Sequence, residues 1–329
     1  MMVRIRSFIR AHSGFFVLIG AVVVLASAGV IIGSRSVPAA ECDLVTAFRK
    51  LTKNAEWKQV AVIPVGFDTH HPQGFAKVGD YLFLSSVEIL EHTRKYDPVR
   101  GGLDRTAGQG KGHLFKMDLD GNLLDQIELG QGAIYHPGGI DFDGRYVWVP
   151  VAEYRPHSIS LIYRVDPASM EATEVFRYAD HIGSLVHNTD DGTLHGVSWG
   201  SRRLYTWRLD DGPTVTDVPP EQRYRVNPAH YIDYQDCQYV GAGRALCFGL
   251  GEYRQRAGAS PFVLGGMELL DMRQGQPLHQ VPVSLWTEEG LSLTRNPVEL
   301  ETTEDGLRAY FMPEDNESRL FIYEVSVCP

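Results

Sequence analysis

One unit occurs twice with its punctuation intact. His71-Pro72-Gln73-Gly74-Phe75 leads through a Gly79-Asp80 turn into Tyr81-Leu82-Phe83-Leu84 and ends at Glu88. His136-Pro137-Gly138-Gly139-Ile140 leads through Gly144-Arg145 into Tyr146-Val147-Trp148-Val149 and ends at Glu153, and in both the Glu follows the His by 17 positions. Gly-X between apolar alternations is the signal of a two-residue hairpin. Weaker copies begin at His181, near Gln235 and at Asn296, so the starts are spaced by 65, 45, 54 and 61 residues. A repeat at that period decides the fold before any motif does.

Each hairpin is followed by a third apolar-x-apolar strand: Phe115-Lys116-Met117, Tyr163-Arg164-Val165, Trp207-Arg208-Leu209, Leu270-Asp271-Met272 and Tyr323-Glu324-Val325. Four of the five have a fourth strand, for example residues 123–129 and 172–178. Five four-stranded antiparallel units predict an all-β, five-bladed β-propeller, in which radial repetition leaves only short protected edges. The fifth unit lacks a fourth strand, and residues 57–65, which have no hairpin of their own, are expected to supply it and close the ring. From Cys42 onward only residues 43–53 read as helix, with Leu44, Phe48 and Leu51 on one face.

The N-terminus bears on compartment. Arg4, Arg6, Arg10 and His12 precede residues 14–33, an uncharged run whose only polar side chain is Ser27. At about 1.5 Å per residue such a helix spans a bilayer. Residues 1–40 therefore read as a hydrophobic helix, either a signal anchor with its transmembrane segment at 14–33 or a signal peptide cut near Val37-Pro38-Ala39. Residues 41–329 read as a single β-propeller domain. Basic residues ahead of the span place the domain on the extracytoplasmic side of the cell membrane, or make it secreted if the segment is cleaved. Beyond residue 40 there are 27 basic against 41 acidic side chains, a net charge of −14 that excludes a nucleic-acid partner. A single chain is the expected state.

Exported thiols pair, and no CxxC occurs among the four cysteines. Cys42 and Cys328 lie just outside the segments that must meet in the closing blade; a bond between them is worth about 4 to 5 kcal/mol in the chain-entropy model. Cys237 and Cys247 flank Gly241-Ala242-Gly243 and face each other across a three-residue turn, although the strict repeat register would turn at Gly243-Arg244 and separate them.

Hairpin arithmetic sets His71 opposite Glu88, His136 opposite Glu153 and, with a turn centred on Asp305, Asn296 opposite Glu314. If the first strand of each blade lines the axis, these pairs and His181 ring one mouth. His71, His136, Glu88 and Glu153 are the catalytic candidates, and His71, His136 and His181 the metal candidates; a divalent ion held there would activate a water. The opposing expectation is that recurring Glu and His residues serve the blade itself. Glu153-Tyr154-Arg155 and Glu252-Tyr253-Arg254 add Arg155 and Arg254 as anion clamps, with Glu252, unless each Arg bridges its own Glu. Longer connections in blades one and four, residues 91–111 and 253–261, hang over the same mouth. The first, with Arg94, Lys95, Arg100, Arg105 and Lys111, is a locally basic cover on an acidic protein.

The stretches HPQGFAKVGDYLFLSSVE, HPGGIDFDGRYVWVPVAEYRP and DCQYVGAGRALC resemble an uncharacterised family of exported propeller-like proteins, a domain of unknown function, over residues 57–327. That likeness implies a propeller and no activity. The layout is more distantly similar to lactonase, strictosidine-synthase and plant-type glutaminyl-cyclase propellers, which place polar or metal-binding residues at the channel mouth. No catalytic motif of those enzymes is matched residue by residue. Two functions from different classes stay open. One is a metal-assisted hydrolase or lyase acting on a small anionic molecule with one divalent metal ion. The other is a non-catalytic module that binds a glycan, peptide or other envelope component.

Overall fold

The structure is a computed structural model and describes residues 42–209 and 224–328. The hydrophobic N-terminal helix, its transmembrane run at 14–33 and the cleavage site at 37–39 lie outside the described residues. Among those described, no helix is long and apolar enough to cross a membrane.

The chain enters through a short helix, α1 (Leu44–Lys50), capped by Asp43, whose Oδ1 accepts the Thr46 N–H at 2.8 Å. It then forms β1 (Lys58–Pro64) and five antiparallel sheets. Blade one comprises β2 (His71–Val78) and β3 (Tyr81–Glu91), an inserted hairpin of β4 (Lys95–Arg100) and β5 (Leu103–Arg105), then β6 (Gln109–Asp118) and β7 (Leu123–Leu129). Blade two has an inner strand in two pieces, β8 (Ile134–Pro137) and β9 (Asp141–Phe142), followed by β10 (Val147–Glu153), β11 (Ser160–Val165) and β12 (Ala172–Tyr178). Blade three is β13 (Ile182–Asn188), β14 (Thr193–Ser198), β15 (Arg203–Arg208) and β16 (Tyr224–Val226). Blade four is β17 (Asp233–Tyr239), β18 (Arg244–Tyr253), β19 (Phe262–Asp271) and β20 (Gln276–Val283). Blade five is β21 (Val298–Thr302), β22 (Gly306–Phe311) and β23 (Arg319–Ser326), and β1 completes it by pairing antiparallel to β23 from Lys58 opposite Glu324 to Pro64 opposite Arg319.

The expected closure is therefore present, and both expected disulfides with it: Cys42 is bonded to Cys328, and Cys237 to Cys247 across a three-residue turn. Apolar side chains fill the seams between blades. Phe75, Leu84 and Phe115 of blade one meet Tyr310 and Ile322 of blade five. Phe83 and Leu114 meet Val149 and Leu161 of blade two. Helix α1 adds Val45 and Phe48 to the seam between blades four and five.

At the axis the inner strands approach until side chains no longer fit. A Cβ on Gly74 would lie 2.5 Å from the Ile140 nitrogen, and one on Gly139 would lie 2.7 Å from Asp236 Cα. The fully buried Asp236 carboxyl group, its pKa raised by burial, ties three blades together. It accepts the backbone N–H groups of Phe75 at 2.7 Å, Ile140 at 3.1 Å and Cys237 at 3.1 Å.

That convergence corrects the hairpin arithmetic. The predicted register holds from Val78 opposite Tyr81 to Gly74 opposite Ser85; Gln73 is then an extra residue, and His71 faces Val87 rather than Glu88. A break between β9 and β8 likewise puts His136 opposite Ala152, not Glu153. In blade five the turn is tighter than expected, closed by the Thr303 N–H on the Gly306 carbonyl at 2.9 Å; Val298 pairs with Phe311, and Asn296 lies ahead of the strand rather than opposite Glu314. A bulge bends an inner strand away from the crowded axis at the cost of its register.

Candidate functional site

The starts of the inner strands surround a polar depression at one end of the ring. One compartment, an open cavity of about 230 Å³, is lined by His71, Gln73, His136, Tyr154, His181 and Trp199. The other, of about 440 Å³, is lined by His70, His71, Glu88, His92, Arg295 and Asp315. His71 and Tyr154 belong to both walls, so the two compartments adjoin.

His71 stands at the junction because β2 begins there, and the following Pro72 commits the chain to an extended entry. Its Nδ1 is 2.8 Å from Asp315 Oδ1. Asp315 also takes Arg295 at 3.2 Å and Asn296 Nδ2 at 3.3 Å. Burial works against ionisation of Asp315, yet the hydrogen bond and charge of His71, and then the charge of Arg295, hold its carboxyl below the usual range. A carboxylate on one ring nitrogen fixes the tautomer and leaves the other for chemistry.

In the neighbouring compartment His136 is buried, its ring stacked on Tyr154 with centroids 4.2 Å apart, and its Nδ1 has no hydrogen-bond partner. His181 lies 5.8 Å from it, centroid to centroid, and its Nδ1 donates to the Glu153 carbonyl at 2.9 Å. Burial keeps both imidazoles neutral: His136 is pushed well below its ordinary value, with His181 and His71 adding to the effect, and His181 falls to about 4. The inserted hairpin overhangs this compartment. Arg105 lies over the Trp199 ring at 5.2 Å, and Tyr135 Oη donates to the Ala107 carbonyl at 2.6 Å, which fixes the hairpin base.

The remaining candidates are engaged by nearby groups, and Arg155 also reaches the Arg105 carbonyl of the inserted hairpin at 3.4 Å. Arg155 Nε donates to Glu153 at 2.6 Å and Arg254 to Glu252 at 3.1 Å, so each arginine bridges the Glu two residues before it instead of standing free as a clamp. Glu314 takes the Arg319 backbone N–H at 2.9 Å and its guanidinium as well. Asn296 is buried against Pro313 and Asp315 and supports His71 from behind. Glu88 differs from the other recurring carboxylates, being directed at an imidazole, His113 Nε2, at 3.3 Å.

The histidines expected to share a metal, His71, His136 and His181, do line one cavity. Among the described residues, however, the convergent ligand set is His70, Glu88 and His113, whose ligand atoms all lie within 4.8 Å of one another. Burial lowers the affinity of His113 for a proton, against the pull of Glu88. His70 was hidden by its neighbour, since only the second His of the His-His-Pro run begins the strand. His113 had a signal: it alternates with the apolar Phe115 and Met117 on one strand face, and all three are buried. Tyr154 sits in the repeated Glu-Tyr-Arg triplet, where attention falls on its charged neighbours, while Trp199, Arg295 and Asp315 come from segments between strands that no period predicts.

Residues 33–329 match the family of unknown function DUF6454. The chain belongs to DUF6454. No curated protein matches the sequence. Among solved structures, the chain is similar to the hydrazine synthase of Kuenenia stuttgartiensis at 11% identity and a TM-score of 0.39, covering 76% of this chain and 58% of that one. It is also similar to the tail fiber of a Staphylococcus aureus phage at 10% identity and a TM-score of 0.44, covering 84% of this chain and 53% of that one. The chain thus spans just over half the length of these two. A luciferin-regenerating enzyme matches at 8% identity and a TM-score of 0.43, with 82% and 97% of the two chains covered.

Proposed function

We infer that this DUF6454 chain is an exported hydrolase or lyase that takes a small polar molecule at the propeller mouth, with His71 as its general acid–base. The observation that carries the reading is the His71–Asp315 pair, placed where two polar compartments meet. Imidazole positioned by a carboxylate is the arrangement proton transfer needs. In hydrolysis, His71 would take a proton from a water whose oxygen bonds to the electrophilic carbon or phosphorus of the substrate. The bond to the leaving oxygen then breaks, and the imidazolium returns the proton to it, so that one water is consumed. An anionic group on the substrate would meet Arg105 or Arg295, each of which already shares a carboxylate, so it would be held by one face of the guanidinium. Two disulfides and no free cysteine among the described residues support an oxidising, extracytoplasmic setting.

A panel of p-nitrophenyl esters, phosphates and sulfates together with simple lactones tests this. Turnover should fall by roughly 10²-fold or more in His71→Ala, and by less in Asp315→Asn. A second reading, non-catalytic capture, is favoured by the aromatic wall of Tyr154, His136, His181 and Trp199, a surface suited to the flat face of a sugar ring. Binding of an oligosaccharide or envelope fragment that survives His71→Ala, with no turnover of any panel member, would replace the first reading by the second.

A further inference from the structure

His70, Glu88 and His113 come from three different places in blade one. His70 precedes β2, Glu88 lies near the end of β3 and His113 lies in β6. Their side chains are 22%, 31% and 10% exposed, so the group is walled by protein and reached from the mouth, where His70 and Glu88 line the larger compartment.

Several local features serve no evident purpose in building the blade. His70 is held at φ +54°, a left-handed conformation that costs a non-glycine residue about 1 kcal/mol. The backbone is fixed there by its own N–H on Asp68 Oδ1 at 2.9 Å and by its carbonyl, which accepts the Asn316 N–H at 2.6 Å. The result is a ring stacked 4.9 Å from that of His113. Asp68 Oδ1 also lies 3.5 Å from His70 Nδ1, the position of an outer carboxylate that orients a ligating imidazole. Lys111, directly opposite Glu88 in the ladder, is turned away to Glu128 at 2.9 Å. Glu88 is thereby left to the histidines.

The spacing of one pair, His113 and Glu88, suits two ligands of one ion better than an ion pair, while the three ligand atoms together lie within 4.8 Å of one another. Charge-assisted N–H···O contacts settle at about 2.7–2.9 Å. Two ligand atoms that each sit about 2.1 Å from one ion at a near-tetrahedral angle are about 3.4 Å apart. His113 Nε2 and Glu88 Oε2 are 3.3 Å apart.

We propose that His70, Glu88 and His113 bind one divalent transition-metal ion, with its open positions facing the compartment that holds His71 and Arg295. Two imidazoles and a carboxylate select zinc, iron(II), manganese or cobalt over calcium and magnesium, which take oxygen ligands. The site deepens the hydrolytic reading by placing a water-activating ion beside His71, but the metal itself stands on the three ligands alone.

The test uses the full chain, purified without chelators, then titrated with Zn²⁺ or with Co²⁺ followed by its visible absorption. One equivalent should bind per chain. Glu88→Gln and His70→Asn should each weaken binding at least about tenfold, with unchanged circular dichroism, whereas His71→Ala, His136→Ala and His181→Ala should bind as the parent does. His113→Gln is a supporting variant only where it folds, because that ring is buried. A folded parent that takes up no stoichiometric metal overturns the proposal. So does undiminished binding in both Glu88→Gln and His70→Asn, or loss of metal that tracks His136 or His181 instead. Metal bound as stated with no turnover of the panel would sink the hydrolytic reading and leave the metal site standing.

Discussion

Buried histidines give this protein a definite dependence on pH. The pKa of His181 falls to about 4 through burial, against the Glu153 carbonyl and Asp180; that of His195, enclosed between Thr193 and Thr206, also falls to about 4 through burial, against Asp191. In the unfolded chain each titrates near 6.5. Above that value both states are neutral and neither residue contributes. As pH falls from about 6.5 to about 4 the unfolded chain gains protons that the folded chain refuses, so stability is lost over that window, by up to about 3 kcal/mol for each ring. The melting temperature should therefore drop between pH 7 and pH 4.5. It should drop distinctly less in a His181→Gln, His195→Gln double variant, whose amides keep a donor and do not titrate. Equal acid sensitivity in parent and double variant would show that other groups govern the decline.

Strands and most turns were legible because each rests on a local period, alternation within a strand, Gly at a turn, a unit that recurs, and the closing segment because the fifth unit was one strand short. The site was legible only in outline, for a physical reason visible in blade one. Hairpin pairing extrapolates by counting, and one extra residue at Gln73, where the strand bends past Gly139, moves His71 from Glu88 to Val87. Glu88 then finds His113 on the third strand, a partner set by sheet order rather than by the hairpin. The inserted cover was legible as an excess of length, and its structure makes a further expectation concrete. Arg94 and Thr106 exchange backbone and hydroxyl hydrogen bonds at 2.9 Å, so its base is narrow, while β4 is largely exposed. Replacing residues 94–106 by two glycines should shift the melting temperature by no more than about 3 °C, the scale of about 1 kcal/mol in a domain of this size. It should also raise acrylamide quenching of the fluorescence that Trp199→Phe abolishes, because Arg105 no longer covers that ring. A large fall in melting temperature would make the hairpin part of the blade, and unchanged quenching would mean that it does not cover the mouth.

A ring of five blades has no intrinsic end, so its stability as a whole depends on how the two termini are joined. Here the join is both hydrogen-bonded and covalent. β1 covers the outer edge of β23, and Cys42 bonded to Cys328 closes a loop of nearly the entire described chain. Helix α1 and the Leu51 that follows it add Phe48 and Leu51 to the seam between blades four and five, where His279 Nε2 donates to the Leu51 carbonyl at 2.9 Å. A chain beginning at residue 41 keeps all three devices. One beginning at residue 70 keeps none, and exposes the β23 edge from Arg319 to Glu324 as a template for association. The longer chain should unfold cooperatively, and mapping of non-reduced peptides should recover Cys42 with Cys328. The Cys42→Ser, Cys328→Ser variant isolates the covalent part, and a loss of about 4 kcal/mol, roughly 10 °C, is expected from it. The shorter chain should lose more than this variant does, since it gives up strand pairing and core burial besides the bond. Cooperative melting of the shorter chain at the temperature of the serine variant would mean that the ring is held by its seams and by Asp236 alone, with β1 no more than an ornament on the fifth blade.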